Sequence, residues 1–415
     1  MGVTGGRGPG VGVDSPAFKV MHLTTVDSSL RYLLWPQLAA VRDRGGDAAG
    51  VSAPGPDVES LERAGIRHVP LTASTREMDP LADLRAAAQL WRIVRRERPD
   101  VLHTHNPKPG LYGRVVGRLA RVPIVVNTNH GVYATEDDGW PRRTVVLALE
   151  AVAARFSHAE LVQNPEDLGL LIRRRINVRR RTRLLGNGID LDRFRPDSLG
   201  SVERAALRAE LGAGPDDVVV GMVGRLVAEK GVLELLAAAR LLDHRYVVVV
   251  IGPDDPAKPD ALDRETVQRA EAAGVRFLGL REDVDRLYGA MDLFVLPSWR
   301  EGFPRAAMEA AASGLPVIAS DVRGCRQVVD HEVSGLLVPV RDPEALAKAI
   351  HTLGEDPSTR AAHGAAGAAK ARREFDERRV VRTVLDTYAS IAEGKGLDRV
   401  TDALRATPDT RAAPA

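Results

Sequence analysis

The chain has 415 residues, 58 lysines and arginines against 56 acidic residues, and 4% aromatic content. That length exceeds one compact core and fits two domains of roughly 180 to 200 residues each. A near-neutral charge with few aromatics argues against a nucleic-acid partner or a base-stacking platform.

Cys325 is the single cysteine, so no intrachain disulfide can form, which fits a reducing compartment; it reads as a small packed side chain rather than a nucleophile. Residues 1–17 are Gly-rich, lack the apolar stretch of a signal peptide and are expected to be a disordered tail. Met1-Gly2 lacks the hydroxyl residue at position 6 that a myristoylation start requires, since Gly6 stands there. No apolar run reaches bilayer-spanning length. The expected location is cytoplasmic.

In chain order, residues 19–23 read as the first strand, followed by the hydroxyl-rich loop Thr24-Thr25-Val26-Asp27-Ser28-Ser29. A helical pattern runs over 30–44, with Pro36 kinking it or marking where its regular part begins. Residues 48–52 and 66–70 continue the sheet. The segment 79–97 is strongly helical, with Leu81, Leu84, Ala88 and Trp91 on one face, and is expected to build core. Strand 100–105 runs into Asn106-Pro107-Lys108-Pro109-Gly110, and strand 123–127 into Thr128-Asn129-His130-Gly131. Ligands of doubly wound sheets bind beyond the carboxyl ends of strands, so both loops are expected at a cleft. His103 reads as a satisfied strand histidine. From Arg173 to Arg183 the chain packs seven arginines into eleven positions. Beside a cleft these would attract an anionic membrane surface or a lipid-linked diphosphate; a solvated helix end is the equal alternative. A linker is expected over 194–200.

The second half opens with strand 218–223 and the turn Gly224-Arg225-Leu226, then Glu229-Lys230-Gly231 and a helix to about 242. A forked guanidinium and a mobile ammonium suit the two phosphates of a nucleotide diphosphate, although both residue types are also ordinary surface cations. No GxGxxG follows a strand here, which disfavours nicotinamide and flavin chemistry. Strands follow at 246–252, 275–279 and 291–297. Next comes the stretch 297–319, PSWREGFPRAAMEAAASGLPVIA. It reads as a short loop, a helix opening at Pro304 and a strand. Gly302 permits close backbone approach, and the helix start is suited to a diphosphate. Glu301 beside that start can hold a sugar hydroxyl, and Glu309, eight positions on, can reach a ribose. A solvated loop acid at 301 and an ion pair between Glu309 and Arg305 are equally compatible readings. The blocks 324–329 and 335–339 are expected to finish the sheet, followed by helices over 342–353 and 375–392 and a loose tail beyond 401.

The Glu-x7-Glu arrangement enclosing Gly-Phe-Pro resembles the family 4 (group 1) retaining glycosyltransferases of the GT-B fold. The blocks GRL-x2-EKG, TNHG and LLGNGID match that family in the same order, and the likeness spans about 19–392. It implies an α/β chain of two doubly wound Rossmann-like domains facing a cleft, 18–195 on the acceptor side and 200–380 binding the nucleotide sugar. A crossover helix over 381–400 would return to the first domain, and 401–415 would be flexible. The implied activity is transfer of a hexosyl group from a UDP- or GDP-sugar to a saccharide or lipid-linked acceptor in bacterial glycan synthesis, with retained configuration. Peripheral contact with the inner face of the membrane would follow. No metal or cofactor is implied, and Asp254-Asp255 lies in the wrong context for a metal-binding DxD pair. The resemblance assigns Gly224, Arg225 and Lys230 to the diphosphate, His130, Glu301, Gly302 and Phe303 to the donor around its sugar, and Glu309 to the ribose. Ser28, Asn106 and Lys108 fall on the acceptor side. The TTVDSS loop departs from the family, many members of which have a glycine-rich loop there. That departure keeps open a non-catalytic sugar-nucleotide-binding partner subunit, and a GT-B sugar-nucleotide epimerase, which shares the architecture and also holds a nucleotide diphosphate, is the other rival.

Overall fold

The structure, a computed structural model, describes residues 16–76, 79–105, 107–132, 139–256 and 258–406. The expected N-terminal tail lies outside the described residues except for its last two positions.

Two parallel sheets form. The first contains β1 (Lys19–Val26), β2 (Asp47–Ala53), β3 (Arg67–Pro70), β4 (Val101–His105), β5 (Ile124–Asn129), β6 (Ala159–Val162) and β7 (Thr182–Leu184), in the order β3-β2-β1-β4-β5-β6-β7. The second contains β8 (Val218–Val223), β9 (Tyr246–Ile251), β10 (Arg276–Phe277), β11 (Leu293–Leu296), β12 (Val317–Ser320) and β13 (Gly335–Val338), in the order β10-β9-β8-β11-β12-β13. Strand order reverses once in each sheet, between β1 and β4 and between β8 and β11. Those two switch points are where doubly wound sheets open a crevice.

By internal contacts the chain divides into two compact units. The first holds the residues up to Asn127, Phe156–Ala159 and those from Val384 onward; the second holds Thr128–Arg155 and Glu160–Thr383. In the second unit the run VVVGMV of β8 is apolar throughout because both faces of the sheet are covered. Val218, Val220 and Met222 pack with Leu235, Ile350 and Leu353 on one side. On the other, Val219 packs with Tyr288, Phe294, Met308 and the fully buried Cys325. In the first unit, Met21, Leu23, Val51 and Leu102 meet Leu90, Ile93 and Val94 of the helix Pro80–Glu97.

Several expectations are corrected here. β1 continues to Val26 and leads straight into the helix Asp27–Tyr32, so TTVDSS is strand end and helix start rather than a loop, and Ser28 is the helix's second residue. Pro36 sits in the first turn of a separate helix, Trp35–Arg42, where its missing N–H has no partner to lose. Residues 323–328 form a helix, not sheet. The helix Asp398–Arg405 replaces the start of the expected loose tail, because Val400 and Leu404 bury one face. The helices Trp140–Ala153 and Pro357–Glu374 were not anticipated.

Two corrections bear on function. Leu81, Leu84, Ala88 and Trp91 do not build core: Leu81 is 66% and Leu84 68% exposed, and the buried face of their helix is Ala86, Leu90, Ile93 and Val94. Apolar residues line both faces of that helix, and periodicity alone cannot choose between them. The arginines from Arg173 to Arg181 precede β7, whose first residue is level with Glu160 at the start of β6, and Arg183 is its middle residue. They therefore lie at the amino ends of the strands, away from the loops that follow the carboxyl ends.

The first sheet carries a buried histidine network. His22 and His103 are neighbours in register on β1 and β4, and His105 lies two residues along the same face. His22 Nδ1 and His105 Nε2 share a hydrogen bond of 3.1 Å, and the Tyr388 hydroxyl meets His103 Nδ1 at 2.5 Å. Among the described residues these three histidines alone are grouped closely enough to share a metal ion. Their rings are stacked or tilted on one another at centroid distances of 4.4 to 5.3 Å, and the nitrogens bond to each other and to Tyr388. That is a satisfied hydrogen-bond network, which also ties the helix Glu377–Glu393 to the first unit through Tyr388.

Burial lowers the pKa of His22 to about 3. The unfolded chain therefore binds a proton below about pH 6.5 that the folded chain excludes. The stabilisation is complete above that pH and is lost progressively as pH falls towards 3, by about 1.4 kcal/mol per pH unit. Thermal unfolding is expected to weaken steeply between pH 6.5 and 4.5, and His22→Asn is expected to flatten that slope while lowering stability at pH 7.

Candidate active site

The switch point of the second sheet is flanked by the loop after β8 and the loop after β11, and both are held by backbone packing. Gly224 N–H donates to Ile251 O at 2.9 Å. The 3-10 turn Ala228–Lys230 ends at Gly231, whose φ of +76° begins the helix Val232–Ala239. A Cβ at Gly231 would lie 2.1 Å from Pro297 O, so only glycine lets the two loops meet. Across that contact Trp299 N–H donates to Glu229 O at 2.9 Å, Trp299 Nε1 to Glu234 Oε1 at 2.8 Å, and Arg300 Nη2 to Glu229 Oε2 at 2.9 Å.

Lys230 Nζ donates to Glu301 Oε1 at 2.6 Å, with the Glu301 side chain 10% and the Lys230 side chain 21% exposed. Glu301 is thus no solvated loop acid. Arg225 Nη1 donates to Asp255 Oδ2 at 2.6 Å, so Asp255 orients the guanidinium. Sequence reasoning placed Lys230, Arg225, Glu301 and Gly224 together, and all four lie on these two loops. It did not foresee that the lysine and the acid pair.

The helix beyond Glu301 begins at Arg305 with Pro304 as its N-cap, one residue later than expected. Two buried asparagines pin the loop before it: Asn164 Nδ2 donates to Gly302 O and Asn187 Nδ2 to Phe303 O, both at 3.0 Å. With those carbonyls held, the first N–H groups of the helix, which have no intrahelical partner, are fixed in place. Phe303 turns its ring inward against Phe375, so only its backbone is available to a ligand. Asn164 was not singled out from sequence, and Asn187 only as part of the LLGNGID block. Their partners are 138 and 116 positions away, a distance no local pattern reports.

Glu309 projects from the same helix. Its carboxylate is 3.8 Å from Arg305 Nε, the anticipated ion pair, and accepts from the Tyr288 hydroxyl at 3.4 Å. Burial raises its pKa, opposed by Arg305 and by the Tyr288 hydrogen bond. His130 follows β5. Its pKa is pushed down to about 4 by burial, against a hydrogen bond to Gln163, so it is neutral at pH 7. The His130 carbonyl lies 1.8 Å from where a Cβ on Gly302 would stand, so the TNHG backbone rests directly on the Glu301–Gly302 loop. Arg323 fixes the same region, donating to Asp167 Oδ1 at 2.5 Å and to Val132 O at 3.3 Å.

On the first unit, Ser28 follows β1 and Lys108 follows β4, so both flank that sheet's switch point. Lys108 is buried, its ammonium 2.6 Å from Asp83 Oδ1 and 3.0 Å from Thr75 O, which makes it a structural cation first. Asn106 lies outside the described residues.

Two doubly wound parallel sheets, with cations, a paired carboxylate and a helix start gathered over the second switch point, define a GT-B sugar-nucleotide transferase. The "Glycosyl transferases group 1" family model matches residues 203–370, and that of "Glycosyltransferase Family 4" residues 38–193. Among similar proteins, the Escherichia coli UDP-Gal:alpha-D-GlcNAc-diphosphoundecaprenol alpha-1,3-galactosyltransferase is 30% identical over 68% of this chain and 73% of its own length. The Salinispora tropica D-inositol 3-phosphate glycosyltransferase is 33% identical over 81% of this chain and 75% of its own. Anabaena HepE, solved in complex with UDP and glucose, shares the fold with a TM-score of 0.75 at 22% identity, over 90% of this chain and all of that one. The chain belongs to the family 4 (group 1) glycosyltransferases. It is a glycosyltransferase, and neither the epimerase nor the non-catalytic partner is favoured.

Proposed function

We propose that the protein moves a hexosyl group from a UDP- or GDP-sugar to a saccharide or lipid-linked acceptor, with retained configuration and without a metal. The single observation carrying this reading is the Lys230–Glu301 ion pair at 2.6 Å, set over the switch point between β8 and β11. As the bond from sugar C1 to the diphosphate oxygen breaks, its electron pair leaves with the diphosphate. Lys230, Arg225 and the N–H groups opening the helix Arg305–Ala312 compensate that charge. Glu301 and His130 orient the sugar, His130 as a neutral imidazole, and Glu309 takes the ribose hydroxyls. The acceptor oxygen bonds to C1 on the same face, and its proton passes to the departing phosphate.

UDP is favoured among nucleotides because the Escherichia coli relative uses UDP-Gal and HepE was solved with UDP. The relatives point to two acceptor classes, a diphosphoundecaprenol-linked sugar and an inositol phosphate. The lipid-linked class is our reading. On that reading Ser28 lies on the acceptor side, with Lys108 as scaffold, at the inner face of a membrane. No helix among the described residues is long and apolar enough to cross a membrane, so that contact would be peripheral.

Supplying UDP- and GDP-hexoses with either a short-chain polyprenyl-diphosphate sugar or inositol phosphate, and assigning the product anomer by NMR, tests the reading. An α-linked product from an α-configured donor on the lipid diphosphate supports it; an inverted product or exclusive use of inositol phosphate refutes it. Glu309→Gln is expected to raise the donor KM about tenfold with a smaller change in kcat, since one hydrogen bond to a charged acceptor is worth about 1.5 kcal/mol.

A further inference from the structure

The helix Pro80–Glu97 has a second face that folding leaves uncovered. Its inner face, Ala86, Leu90, Ile93 and Val94, is buried against the first sheet. Its outer face carries Leu81, Leu84, Ala88 and Trp91, spaced three and four apart, and the last is 38% exposed. The exposed residues Arg85, Arg92 and Arg95 lie on that same outer face, between and beside the apolar ones. Among the described residues none of these three arginines forms a salt bridge. A soluble helix has little reason to expose two leucines and a tryptophan in one stripe, and an ordinary protein-binding stripe would not be threaded with cations. Leucine and tryptophan seated among arginines, on a helix of 18 residues, is the composition of a helix lying in a lipid headgroup layer.

We propose that this outer face is a docking surface for an anionic phospholipid leaflet. A second copy of the chain is the poorer occupant, because a two-fold contact would set these arginines against their own copies. The helix is also tied to the acceptor end of its sheet. Asp79 caps its start, accepting from Leu81 N and Ala82 N, and Asp83 in its first turn binds Lys108, the residue that opens the helix after β4. Leu81 and Leu84 are therefore the part of the stripe nearest the switch point between β1 and β4. A leaflet seated there would present a lipid-linked acceptor to that edge. The inference deepens the lipid-acceptor reading and rests on it for its purpose, but not for its test.

The test is sedimentation of the full chain with vesicles of phosphatidylglycerol and phosphatidylcholine, and with phosphatidylcholine alone. Wild type is expected to sediment with the anionic vesicles and to be released by high salt. Leu84→Gln combined with Trp91→Gln, and separately Arg92→Gln combined with Arg95→Gln, are each expected to weaken binding about tenfold or more. Donor hydrolysis in solution and the thermal midpoint should stay at wild-type values in both. Unchanged vesicle binding in both double variants would overturn the proposal. So would loss of binding only when Arg179, Arg180 and Arg181 are replaced, or a dimer in sedimentation velocity that the Leu84/Trp91 variant abolishes. Failure of the transferase reading would appear instead as absent donor turnover with vesicle binding intact.

Discussion

Replacing Lys230 with alanine is expected to lower kcat for sugar transfer about a hundred- to a thousandfold, the cost of removing one preaimed donor to a developing oxyanion. Two effects add. The ammonium that would compensate the departing diphosphate is lost, and Glu301, with only 10% of its side chain exposed, keeps a charge whose partner at 2.6 Å has gone. That carboxylate then repels the phosphates it formerly helped to place. Glu301→Gln should cost less, because a neutral amide still accepts from Lys230 and adds no stranded charge. Steady-state kinetics of both variants checks the order. A Lys230→Ala enzyme with normal kcat and only a raised KM would show that the lysine holds the donor equally in ground and transition states.

Gly302→Ala is expected to be nearly as damaging although it removes no functional group. The added methyl would stand 1.8 Å from the His130 carbonyl oxygen and 3.3 Å from Gly131 Cα. Both neighbours are backbone, and no side chain can swing aside. The TNHG segment and the loop 301–304 must therefore separate, pulling at the hydrogen bonds from Asn164 and Asn187 that hold the helix start. A displacement of about 1 Å at a reacting centre costs about a hundredfold in rate. Overpacking of this kind typically also removes about 1 to 3 kcal/mol of stability. Turnover and thermal unfolding measured together check this. Gly139→Ala is the control expected to behave as wild type, since its methyl would meet only Pro141 at 3.9 Å.

Much of this arrangement is written locally in the chain. Runs such as Val218–Val223 announce buried parallel strands, and the residues that end them, Gly224 to Lys230 and Glu301 to Pro304, lie near each other in sequence within their own loops. What joins the loops is not local. Asn187 and Phe303 become neighbours only through the sheet, and nothing about an asparagine in LLGNGID says which carbonyl it will hold. The His22–His103–His105–Tyr388 network is hidden for the same reason, since Tyr388 joins strands whose sequence lies more than 280 positions away. The helix Pro80–Glu97 misleads differently. Both of its faces carry helical apolar spacing, so periodicity alone selected Leu81, Leu84 and Trp91, and only the packed sheet shows that Leu90, Ile93 and Val94 are the inner face. The density of the arginines from Arg173 to Arg183 fits a cluster beside a cleft and a solvated helix end equally. The parallel register of β6 and β7 puts them at the other end of the strands.

On the proposed mechanism, Lys230 over the second switch point compensates the charge that builds as the bond between a sugar and a nucleotide diphosphate breaks, and Glu301 beside it orients the sugar. Nucleotide release from a panel of UDP-, GDP-, ADP- and dTDP-sugars, with and without EDTA, tests it most directly, because slow hydrolysis of the donor needs no acceptor. Wild type is predicted to release nucleotide from one UDP- or GDP-sugar at a rate that EDTA does not change, with Lys230→Ala and Glu309→Ala both strongly impaired. Release at wild-type rates by both variants, or conversion of a donor sugar without nucleotide release, would contradict the account.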